Sequence, residues 1–197
     1  MFDEWLRGWK DRLLARPAAW LGGTSPVAVT VIGFLIGGCA VVALALGWRG
    51  VAVGCWLANR TLDGLDGTLA RQRGRTSDFG AYLDIMLDFV IYAAIPIVLV
   101  LRDPVHARTV AALLLLATFY LNAASWMYLS AILERRGRGD SLTAVVMPPG
   151  LIGGTETVVF YTLFMLLPSL VTPLFLGMAA LVLVNVIQRL VWSARRL

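Results

Sequence analysis

The chain has 197 residues, 59% of them apolar and 15% charged, and a mean hydropathy of +0.78. That composition excludes a water-soluble globule, because residues 17–48, 109–133 and 157–188 are free of charge and each exceeds the roughly 20 apolar residues that span a bilayer. The net charge of +5 calls for no nucleic acid partner, since the basic residues gather at the ends of the apolar segments, where they face anionic lipid head groups.

Residues 1–20 read as an amphipathic helix lying in the membrane interface: Phe2, Trp5, Leu6, Trp9 and Leu13 recur every three or four positions against Asp3, Glu4, Arg7, Lys10 and Asp11. This mixture lacks the compact apolar core of a cleaved leader, so the segment is expected to be kept. After the break at Gly22 and Gly23, residues 21–197 are predicted to form one all-α membrane domain of six transmembrane helices, at roughly 26–47, 51–71, 79–101, 108–132, 149–167 and 172–193. Gly33 and Gly37 in the first span form a small-xxx-small pair that permits close helix approach. Cys39 and Cys55 fall inside apolar segments and read as packing thiols, not a disulfide framework. A polar loop covers 133–148, and Pro168 and Pro173 flank the last turn.

Lysine and arginine set the orientation. Fourteen of the 17 fall at the amino terminus, in the connection of the second and third spans (with Arg60), in the loop after the fourth span and in the tail; Arg49, Arg102 and Arg108 fall on the other side. Both termini are therefore expected in the cytoplasm, and His106 on the outer side is not a catalytic candidate.

Five carboxylates lie between Asp63 and Asp88, where an ionised group costs at least a few kcal/mol unless compensated. Spacings of three and four put Asp63 with Asp66, and Gly80 with Asp84 and Asp88, on single helix faces. In an antiparallel hairpin turning near Arg75, residues whose numbers sum to about 150 sit level. Asp63 then meets Asp88, Asp66 meets Asp84, and Arg71 lies level with Gly80. Four oxygen-bearing side chains so arranged suit divalent Mg²⁺, Mn²⁺ or Ca²⁺, with no histidine or cysteine near to favour zinc. Gly67, Ala70 and Gly80 leave a slot where a planar ring or a diphosphate can approach backbone; helix packing alone also accounts for small residues there. Cations beside such a slot, with an arginine, are the equipment of phosphoryl transfer.

The segment resembles the signature of the CDP-alcohol phosphotransferase family, D-x2-D-G-x2-A-R-x8-G-x3-D-x3-D. Every fixed position is matched, by Asp63, Asp66, Gly67, Ala70, Arg71, Gly80, Asp84 and Asp88. The resemblance implies two divalent cations, Mg²⁺ or Mn²⁺, on Asp63, Asp66, Asp84 and Asp88, with Asp88 also the general base. It implies a CDP site built by Asp66, Gly67, Ala70, Arg71 and Gly80, a homodimer, and an active site facing the cytoplasm of a bacterial inner membrane. The Pro-Asn-x-x-Thr that often leads into the first span of family members is here Pro26-Val27-Ala28-Val29-Thr30, without the asparagine. The run from Leu83 to Phe89, with Tyr92 and Pro96, is similar to the third span of bacterial phosphatidylcholine synthases.

The activity so implied is transfer of a phosphatidyl group from CDP-diacylglycerol to the hydroxyl of an unidentified alcohol, with release of CMP. A CDP-choline or CDP-ethanolamine type of transfer onto diacylglycerol is the alternative within the family. A transporter using the acidic cluster as an ion site is the alternative outside it, but the outer halves of the spans hold no comparable ionisable residue. Residues that could receive the acceptor are Glu156, Asn122, Arg135, Arg136 and Arg138, with Asn185, Gln188 and Arg189 on the last span. The arginines would suit a phosphorylated acceptor and Glu156 a neutral or cationic one; Glu156 tips the expectation toward an acceptor without a free phosphomonoester.

Overall fold

The computed structural model describes residues 25–72, 77–136 and 150–197. The expected interfacial helix at 1–20 lies outside these residues, as does Arg138. Helices follow in the order α1 (Pro26–Leu46), α2 (Arg49–Gln72), α3 (Asp78–Arg102), α4 (His106–Arg135), α5 (Gly154–Leu166) and α6 (Val171–Arg196), with a 3₁₀ turn at Pro168–Leu170, and no strand occurs among the described residues. Four of these elements, α1, α3, α4 and the stretch Pro168–Arg196, are long and apolar enough to cross a membrane. The other two fall short for different reasons: α2 carries Arg49, Arg60, Asp63, Asp66 and Arg71, and α5 has only 13 residues. Large apolar side chains such as Leu35, Val51, Leu113 and Leu190 are exposed along the helices, as lipid-facing positions are.

The chain divides into two compact units, one running to Pro104 and including Tyr161–Pro168, the other made of Val105–Phe160 and Ser169–Leu197. In the first, α1 packs against both α2 and α3. The small faces of Gly33 and Gly37 make that approach possible. A β-carbon at Gly37 would lie 3.0 Å from Ile91 and 3.1 Å from the Asn59 amide, and one at Gly33 would lie 3.5 Å from Leu62. The buried Asn59 side chain donates to the Gly33 carbonyl at 2.9 Å, an additional tie between α1 and α2. Helix α1 starts on Pro26, where a missing N–H costs nothing, and stops at Gly47, whose φ of 90° only glycine adopts readily. Trp48 N–H closes back on the Ala43 carbonyl at 2.9 Å, and Arg102 from the end of α3 donates to the Leu44 and Ala45 carbonyls.

Helix α3 is capped by Ser77, whose hydroxyl accepts from Gly80 N–H at 3.0 Å. Pro96 sits inside this helix and removes the N–H that would bond the Tyr92 carbonyl. The Tyr161 hydroxyl donates to that carbonyl at 2.7 Å instead, so a fully buried side chain fills the gap the proline opens. Trp56, Tyr92, Tyr161 and Phe164 form one aromatic cluster around it, Trp56 stacking on Tyr161 at 5.2 Å between ring centres.

In the second unit α4 packs on α6, with Leu115, Leu129, Phe175, Met178 and Val182 buried. Helix α5 begins at Gly154 instead of the expected 149. Asn185 holds the preceding backbone in a non-helical path, accepting from Leu151 and Ile152 N–H and donating to the Ile152 carbonyl at 2.8 Å. Gly150 leaves room for that amide, since a β-carbon there would fall 2.6 Å from it.

Candidate functional site

The α2–α3 pair brings Asp63, Asp84 and Asp88 together: each offers a carboxylate oxygen, and these oxygens all lie within 4.8 Å of one another. The spacing of four along α3 puts Asp84 and Asp88 on one face, and Asp63 meets that face from α2. All three are partly buried. A small pocket opens beside them, completed by Thr30, Gly33 and Phe34 of α1, Asn59 of α2 and Leu87 and Ile91 of α3. The Thr30 hydroxyl donates to the Pro26 carbonyl at 3.1 Å.

Arg60, counted above among the charges of the cytoplasmic connection, instead lies within this site at 8% exposure. Its guanidinium forks onto Asp88, with Nη1 donating to Oδ2 at 2.8 Å and Nη2 to Oδ1. Nη1 also reaches the Tyr92 hydroxyl at 2.8 Å and approaches Asp63 Oδ2 at 3.6 Å, while Nε donates to Asn59 Oδ1 at 2.9 Å. The rings of Trp56 and Tyr92 lie 5.0 and 5.2 Å from the guanidinium carbon. A buried guanidinium keeps its charge and needs such a set of acceptors. Its place was readable in principle: Arg60 stands one turn before Asp63 on the same face, and the level rule sets it beside Asp88. Charge counting for orientation drew it into the loop instead.

The remaining candidates fall as follows. Asp66, Gly67, Ala70 and Arg71 continue helix α2, and their side chains lie outside the described residues. The expected meeting of Asp63 with Asp88 is present; that of Asp66 with Asp84 lies outside the description. Gly80 is in the first turn of α3, where a β-carbon would come 2.9 Å from the capping hydroxyl of Ser77. In the second unit, Glu156 Oε2 accepts from Gly153 N–H at 2.9 Å, a helix-start contact. Asn122 accepts from Arg189 Nη1 through its carbonyl at 3.1 Å and its side chain at 3.2 Å. Arg135 is exposed, and Arg136 donates to the Leu197 carbonyl at 3.0 Å.

Three carboxylates from two helices, all hard oxygen donors, fit a divalent cation such as Mg²⁺ or Mn²⁺. The donor set carries one peculiarity, since Asp88 gives both its oxygens to Arg60.

Comparison with known proteins finds relatives in sequence and in fold. The family model described as CDP-alcohol phosphatidyltransferase matches residues 23–188. The inner membrane protein YnjF of Escherichia coli is 37% identical over 161 residues, covering 80% of this chain and 75% of that one. The fold is similar to the crystal structure of the phosphatidylinositol phosphate synthase of Mycobacterium tuberculosis with CDP-DAG bound, at a TM-score of 0.68 and 24% identity over 91% of this chain and 92% of that chain.

Proposed function

Because this chain belongs to the CDP-alcohol phosphatidyltransferase family, we propose that it moves the phosphatidyl group of CDP-diacylglycerol onto the hydroxyl of an alcohol and releases CMP. The observation that carries the reading is the convergence of Asp63, Asp84 and Asp88 across two adjacent helices. On this reading Asp63, Asp66, Asp84 and Asp88 hold two divalent cations, Mg²⁺ or Mn²⁺, which when bound neutralise the diphosphate and the departing CMP. Gly67, Ala70, Arg71 and Gly80 receive the CDP moiety, the small residues admitting it close to backbone and the arginine meeting its charge. Asp88 takes the proton from the attacking hydroxyl, a role worth roughly 10²- to 10⁴-fold in rate.

Six crossings, with both termini and the catalytic cluster on the cytoplasmic side of a bacterial inner membrane, agree with the distribution of arginines and with the printed name of the E. coli relative. In this arrangement residues 1–20 lie in the interface, and two copies of the domain pair as a homodimer. The test is release of CMP from CDP-diacylglycerol by purified protein given a panel of alcohols, with CDP-choline and CDP-ethanolamine plus diacylglycerol as the competing donors. Release from CDP-diacylglycerol is expected, and Asp88→Asn is expected to remove most of it. Full turnover in Asp88→Asn with the true acceptor would remove the base assignment.

A further inference from the structure

We propose that Arg60 is a resident cation of the acidic cluster, a positioning residue that holds Asp88 and sets how tightly a divalent metal can use it. The inference rests on the reading of the cluster as a metal site and adds a residue that the family signature does not contain. Three observations carry it. Both Asp88 oxygens are committed to the guanidinium, and Asp63 Oδ2 lies 3.6 Å from it, so a positive charge already stands on the Asp63–Asp88 side. The guanidinium is held independently of the carboxylates, by Asn59 Oδ1, the Tyr92 hydroxyl and the two flanking rings. Those holders are themselves fixed: Asn59 donates to the Gly33 carbonyl, and the backbone of Tyr92 receives the Tyr161 hydroxyl across the gap left by Pro96.

An arginine at 8% exposure cannot shed its proton and does not leave its partners cheaply. A cation drawing on Asp88 must therefore share that carboxylate with the guanidinium or displace it, against like-charge repulsion at close range. Metal binding to the free protein then divides into a tight step and a weaker step that contends with Arg60.

The experiment is a Mn²⁺ titration of purified full-length protein in detergent without nucleotide, with free Mn²⁺ read from its electron paramagnetic resonance signal. Wild type is expected to give two steps. Arg60→Met, which keeps an unbranched stem but neither the guanidinium nor its charge, is expected to tighten the weaker step by about tenfold or more, the scale of one lost charge-assisted hydrogen bond. Arg60→Lys, which keeps the charge but cannot fork, is expected to fall between them, and decides the matter alone if the Met variant does not fold. Superimposable isotherms for wild type and the Arg60 variants would overturn the inference while leaving the metal site standing. Absence of Mn²⁺ binding in every protein would overturn the metal reading itself, and this inference with it.

Discussion

At the scale of single residues, the acidic signature and the buried arginine make different demands on the membrane interior. A carboxylate there needs compensation, and Asp63 and Asp88 obtain part of it from Arg60. If Asp63 and Asp84 each bridge both cations, Asp63→Ala and Asp84→Ala should lower CMP release more than Asp66→Ala does. Chelation should abolish the release, with Mg²⁺ or Mn²⁺ restoring it. An unchanged rate after exhaustive chelation would detach the cluster from the chemistry. These aspartates were legible in the sequence because helical spacing and hairpin level are both arithmetic on residue numbers. Asn59, Arg60, Tyr92 and Tyr161 were not read as one group. Their association depends on an aromatic box assembled from three helices, and nothing local announces which face of Trp56 a guanidinium will meet.

Among the elements, close packing of α1 on α2 and α3 decides where the acidic face ends up. Gly33 and Gly37 were recognisable as a small-xxx-small pair, and the structure uses them within one chain, against Leu62, Asn59 and Ile91. Any face through which two copies pair must therefore draw on other residues. The two glycines differ in how much room they have. Gly33→Ala places its methyl at ordinary contact distance and should leave the melting temperature nearly unchanged. Gly37→Ala presses on Ile91 and on an Asn59 amide already tied to α1, and overpacking of this kind typically costs about 1–3 kcal/mol. Thermal melts of the two variants in detergent check the contrast; equal loss in both would show that the packing tolerates neither or distinguishes neither. The late start of α5 illustrates the opposite limit of sequence reading. Its apolar run continues upstream of Gly154, but Asn185, 35 residues away from Gly150 on α6, bonds the preceding backbone and withholds it from the helix. Hydropathy alone cannot register a long-range amide.

For the molecule as a whole, the expected confinement of ionisable residues to the cytoplasmic ends of the spans separates the proposed enzyme, open to a single face, from a conduit through the bilayer, and it leaves the acceptor as the principal variable. Removing Arg60 from the count of loop charges still leaves arginine and lysine strongly concentrated in the segments expected to face the cytoplasm. With Cys39 and Cys55 replaced by alanine, a cysteine at Leu197 should resist a membrane-impermeant maleimide in intact spheroplasts and one at Trp48 should react; the reverse pattern would invert the topology. Glu156 offers the sharpest test of what the enzyme accepts. Its carboxylate accepts from Gly153 N–H at the start of α5, a contact that the amide oxygen of glutamine can also make. Glu156→Gln therefore removes the charge while keeping the cap, which makes the variant a probe of electrostatics instead of folding. If the acceptor lacks a free phosphomonoester, wild type should turn it over readily, and glycerol phosphate and inositol phosphate should remain poor acceptors in both proteins. Lipid products read by mass spectrometry across the acceptor panel decide it. Efficient use of either phosphorylated alcohol, unchanged or improved when the negative charge of Glu156 is removed, would overturn that expectation and assign Arg135, Arg136, Arg138 and Arg189 to the acceptor phosphate.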